Sequence, residues 1–188
     1  ISVVFRFFFS GGVFGILFGL LAMLFGVEIF DPNSPKALII THTLTLGVML
    51  SFMFAALFQM LPVIAGIKLT NPITKANLTQ YPFIIGTLSL LIGFFTYSTI
   101  WFSIAGVLLG SSILYISSIM LSRLIRLQNH TSSSKGMSVS IASLFMLTLL
   151  ALVMILMLSG VVDSSSYLII KKAHYSLGLF GWIGLLII

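Results

Sequence analysis

ALIITHTLTLGVMLSFMFAALFQMLPVIAG, from Ala37 to Gly66, contains no Asp, Glu, Lys or Arg. Wound as a helix it would be about 45 Å long, enough to cross a hydrocarbon core of about 30 Å even when tilted. One imidazole, His42, lies near its start. The rest of the chain has the same character: 59% of residues are hydrophobic, 6% are charged, and the mean hydropathy is +1.23. A soluble globule of this composition would have almost nothing to wet its surface. The sequence therefore describes an all-α, polytopic transmembrane helical bundle.

Working outward from that stretch, apolar runs of spanning length fall near Phe7 to Val27, Ala37 to Gly66, Tyr81 to Tyr97, Ile100 to Leu121 and Ser138 to Val162, with a sixth from about Ile169. From His174 to Ile188 the sixth run rises about 22 Å, so it reads as a truncated span. The chain starts at Ile1 rather than Met, and residues 1–188 read as a single transmembrane helical domain, one piece of a longer polypeptide. The first run follows Arg6 as a signal peptide would, but it is too long and lacks a clear small-residue cleavage site.

There is no cysteine, which excludes disulfides, thiolate-held zinc or iron-sulfur clusters and thiol catalysis from this stretch. A net charge of +6 would suggest nucleic acid in a soluble domain, but here the basic residues lie beside membrane segments and set topology. Arg6, Lys68, Lys75, Arg123, Arg126 and Lys135 fall on one side, expected to be cytoplasmic. Lys36, Lys171 and Lys172 share the other side with all the acidic residues, Glu28, Asp31 and Asp163. The N-terminus is thus expected in the cytoplasm, and the membrane is expected to be a bacterial inner membrane. With this topology the second and sixth spans both run inward, and His42 and His174 sit at similar depth near the outer interface.

An imidazole in hydrocarbon is costly unless bonded, and its neutral nitrogen is a good ligand for iron, copper or zinc. His42 and His174 are accordingly the candidate cofactor and metal ligands. For His42 an interhelical hydrogen bond is the alternative, with Thr41, Thr43 and Thr45 as nearby partners. Gly178 and Gly181 follow His174 at i+4 and i+7, which leaves either a bare surface for a flat ring or a seat for close helix packing. At about 100° per residue, Thr45, Met49, Met53, Ala56 and Met60 share the His42 face. Gly11, Gly15 and Gly19 on the first span, and Gly106 and Gly110 on the fourth, read as helix-packing positions. Gln59 and Pro62 either line a polar opening or mark a kink, and His130 belongs to a polar loop. Paired carboxylates, a phosphate-binding glycine loop and intramembrane acids are all missing, which weakens hydrolase and ion-pump readings.

The segment His42-Thr-Leu-Thr-Leu-Gly47, continuing through Gln59-Met-Leu-Pro62-Val-Ile-Ala-Gly66, resembles membrane proteins related to haem-copper oxidase subunit I. The segment His174-Tyr-Ser-Leu-Gly178-Leu-Phe-Gly181-Trp182 fits the same group, and both also look like the nitric-oxide-response haem-copper membrane proteins. The resemblance covers about a quarter of the chain. It implies that His42 corresponds to a second-helix histidine that binds low-spin haem, and His174 to a sixth-helix histidine at a haem or copper centre. An oxygen-reducing centre of that superfamily needs three copper histidines, a further haem ligand and usually a histidine-linked tyrosine. This chain offers two intramembrane histidines, and Tyr175 points about 100° away from His174 on a helix.

The function expected is a haem-binding integral membrane protein, with copper as a second cofactor candidate, in respiratory electron transfer or nitric-oxide handling. It would be related to oxidoreductase subunits without holding a complete oxygen-reducing site. Its partners would be the lipid bilayer, other membrane subunits or a redox partner, and no nucleic acid. The alternatives are a carrier or permease, and a structural subunit without a cofactor.

Overall fold

In a computed structural model, residues 2–31 and 34–187 are described, and they are helical with no strand among them. Five helices are long and apolar enough to cross a membrane: Val3–Phe30, Pro35–Ile64, Pro72–Thr96, Thr99–Ile125 and Ser132–Leu158. A sixth occupies residues 167–187. Ile188, the end of the sequence-derived sixth segment, lies outside the described residues.

Two helices begin well before their hydropathic segments. The third starts at Pro72 rather than Tyr81, because its polar first turns find internal partners. Thr79 Oγ1 donates to Lys75 O at 2.8 Å, and Gln80 Nε2 donates to Ser10 Oγ at 2.7 Å and Arg6 O at 3.0 Å. The fifth starts at Ser132 rather than Ser138, capped by the Thr131 side chain, which accepts from Ser134 N at 3.2 Å. Hydropathy misses such turns because a satisfied polar side chain scores the same as a solvated one.

Each helix packs on its neighbour in sequence, from the first through the sixth. Residues of the second and sixth helices line one cavity together with the third, fourth and fifth. A left-handed Tyr97 (φ 54°) turns the chain sharply between the third and fourth helices. Those two pack closely where glycine makes room: a Cβ on Gly86 would come within 2.9 Å of Leu109, and one on Gly93 within 3.0 Å of Phe102. Gly106 and Gly110 seat Ile155 and Leu152 of the fifth helix, as the packing reading expects.

The first helix departs from expectation. Gly11 receives the Phe52 ring, but a Cβ on Gly12, Gly15 or Gly19 would meet nothing within 4 Å. The contact to the second helix is instead reversed lower down, where Phe14 of the first helix fills the space over Gly47. At the end of the bundle near Arg6, fully buried Phe7, Phe54 and Phe83 form an aromatic core. Phe7 meets Phe54 edge-on at 5.9 Å and stacks on Phe58 at 5.5 Å; Phe54 meets Phe83 edge-on at 6.0 Å. Such pairs add about 0.5–1.5 kcal/mol each beyond area burial.

Candidate functional site

The local structure around the two histidines is the same. Immediately after His42 the second helix widens into a π-helix, Thr43–Leu50, before returning to α. Shortly after His174 the sixth helix does likewise over Leu177–Gly184. Eight-residue π-helical runs are rare, and π segments concentrate at functional sites.

Three side-chain bonds to backbone carbonyls cluster where the second-helix run begins. His42 Nδ1 bonds Leu38 O at 2.8 Å, Thr43 Oγ1 bonds Ile39 O at 2.8 Å, and Thr45 Oγ1 bonds Thr41 O at 2.8 Å. Side-chain donors on these carbonyls compete with the i→i−4 ladder at the point where it gives way. The threonines are therefore committed to their own helix and do not bond His42. In the sixth helix, Gly178, Gly181 and Gly184 loosen the backbone, and Trp182 O accepts from buried Ser140 Oγ of the fifth helix at 2.8 Å.

His42 and His174 line one cavity of about 330 Å³, bounded by the second to sixth helices, and lie within electrostatic reach of each other. His174 Nδ1 bonds Leu147 O of the fifth helix at 3.0 Å. A carbonyl can only accept, so in both rings Nδ1 carries the proton and donates. Nε2 is then left on each ring as a lone-pair donor without a protein partner among the described residues. Anchoring Nδ1 on a carbonyl while Nε2 is free is the arrangement that orients metal-bound imidazoles. Phe94 steadies the His42 ring from the third helix, with centroids 4.9 Å apart, and meets Phe102 edge-on at 5.4 Å.

The walls are mainly apolar: Leu90, Leu109, Leu144, Leu147, Leu152 and Trp182 are among them. Polar groups gather around Lys171, Tyr167 and Tyr175. Tyr175 and Leu179 are about half exposed, so the cavity opens at that edge of the sixth helix.

The two candidate glycines separate. Gly178 lines the cavity, and a Cβ there would meet nothing within 4 Å. Gly181 faces the fifth helix, where its Cβ would come within 2.5 Å of Ser143 Oγ. Of the expected His42 stripe, Thr45 reaches the cavity, but Met49, Met53 and Met60 do not. Leu46 and Leu50 line it instead. The π-helix inserts a residue into the turn, so an α-helical wheel drifts off the true face. Gln59 and Pro62 are exposed, with the helix continuing past the proline to Ile64, so no polar opening forms there.

Phe94, Leu147 O and Lys171 were not singled out from sequence. Leu147 has no sequence signal at all, because the donor it meets comes from another helix. Among the described residues no three His, Cys, Asp or Glu side chains come together as a metal site. No family model, curated protein or solved structure matches the chain.

Proposed function

We propose that this chain is a haem-binding integral membrane protein in which His42 and His174 would hold the haem iron. The observation that carries the reading is the pair of imidazoles: each fixed through Nδ1 to a carbonyl, each with Nε2 free, and both lining one cavity.

The donor set favours a metal that arrives already held. A bare copper ion would find two imidazoles and no third side chain of the usual kind among the described residues, whereas a porphyrin supplies four equatorial nitrogens and needs two more ligands. The cavity volume lies at the low end of small-molecule sites, about 300–1,000 Å³. Side-chain-free Gly178 leaves room for a flat ring next to His174. Lys171, Tyr167 and Tyr175 are the groups that could meet carboxylates.

When bound, haem would supply one-electron chemistry, and a diatomic gas would reach the iron only where one of the two imidazoles gives up its place. The chain's own residues hold it, fix its orientation and exclude water with apolar walls, which disfavours the more highly charged oxidation state. Respiratory electron transfer or nitric-oxide handling follows as the reading. The distribution of basic residues favours a cytoplasmic N-terminus, and the reading places the protein in a bacterial inner membrane on the strength of the resemblance alone.

The test is an absorption spectrum of the detergent-purified protein, oxidised and reduced, after reconstitution with haem. A Soret band that His42→Ala or His174→Ala shifts or removes is the expected result. Absence of a band, or a band indifferent to both substitutions, overturns the reading and leaves the carrier and the cofactor-free subunit.

A further inference from the structure

A second cavity, which shares no lining residue with that of the histidines, lies between the first and third helices. It has a volume of about 600 Å³ and is walled by Phe9, Val13, Leu17, Ile84 and Leu88, with Arg6 at one end. Arg6 Nη1 donates to Asn77 Oδ1 at 2.8 Å, and the Tyr81 ring lies 5.4 Å from the guanidinium. No carboxylate pairs with Arg6 among the described residues. Its Nη2 has no acceptor, and Gln80 Oε1, on a side chain only 4% exposed, has no donor.

We propose that this cleft binds one anionic phospholipid, its phosphate at Arg6 and an acyl chain along the apolar wall. Three features select that occupant. The cation sits in the first turns of a spanning helix, where headgroups lie, without a protein counter-ion. From Arg6 to Leu17 the groove runs about 16 Å along one helix, and from Gln80 to Leu88 about 12 Å along the other. That is the depth of one leaflet, half of a core of about 30 Å. Finally, Phe9 and Val13 are exposed at its mouth, so the groove opens sideways to lipid rather than to water.

The experiment is native mass spectrometry of the delipidated full chain in detergent, with dioleoyl phosphatidylglycerol, dioleoyl phosphatidylcholine or inorganic phosphate added. One phosphatidylglycerol should be retained in preference to phosphatidylcholine, and retention should fall about fivefold in Arg6→Gln, the loss of one juxtamembrane cation. Val13→Trp, which blocks the groove and spares Arg6, should lower retention as well, with monodisperse elution and helical circular dichroism confirming the fold of both variants. Equal retention of the two lipids, or indifference to both substitutions, overturns the proposal. Retention of inorganic phosphate that depends on Arg6 and displaces the lipid also overturns it, in favour of an anion site without an acyl groove.

Discussion

Gly178 and Gly181 are three residues apart in one π-helical run and look equivalent in sequence, yet alanine should affect them in opposite ways. At Gly181 the new Cβ would come within 2.5 Å of Ser143 Oγ and 2.7 Å of Ser143 Cβ. The hydroxyl can rotate away, but the Ser143 Cβ cannot move without its helix. The fifth and sixth helices must separate locally, an overpacking cost of about 1–3 kcal/mol. At Gly178 the same methyl meets open cavity. The gain from replacing glycine in a helix, about 1 kcal/mol, applies to both positions and cancels in the comparison. Gly181→Ala should therefore be less stable than Gly178→Ala by about 1–3 kcal/mol, measured by reversible unfolding in mixed detergent–SDS micelles. Adding Ser143→Gly to Gly181→Ala removes both offending atoms and should recover most of the difference. Equal stabilities for the two alanine variants, or no recovery in the double variant, would refute the assignment of these faces. The haem reading adds a second readout: Gly178→Leu should weaken the Soret band of a fully folded protein by filling the cavity.

Two further outcomes follow from single contacts. Ser140→Ala removes the buried bond to Trp182 O and should destabilise the bundle by about 0.6 kcal/mol, and by no more than about 1.7 kcal/mol, the average and the upper limit for hydrogen bonds between membrane helices; no change in the same unfolding assay would mean that this bond does not hold the sixth helix. Outside the membrane, the Ser165 hydroxyl and amide both donate to Asp163, holding its carboxyl below the ordinary value of 3.8. A lowered carboxylate pKa means that the turn's stabilisation is present at neutral pH and lost as pH falls through the folded-state value. A carboxyl-carbon NMR titration of Asp163 should show a midpoint below 3.8, and a midpoint at or above it would contradict the bonding.

The sequence by itself determined the class of the protein. Hydrophobicity is a local, additive property, so runs such as Ala37 to Gly66 announce spanning helices regardless of what they pack against. It also marked His42 and His174, because imidazoles are conspicuous among apolar residues. The helix start at Pro72 was hidden because Gln80 is satisfied by Arg6 O, far away in sequence, and the start at Ser132 because its cap, Thr131, lies in a polar run that hydropathy scores as loop.

Tertiary structure alone decided what the histidines can do. Leu147 O fixes the His174 tautomer from another helix, and Phe94 braces His42 from a third. Register decided the rest: along the two π-helical runs Leu50 lines the cavity where Met49 was expected, and of the two expected glycines Gly178 lines it while Gly181 does not. Such a rotation depends on how neighbouring helices fit, which is not written in the order of the residues along one helix.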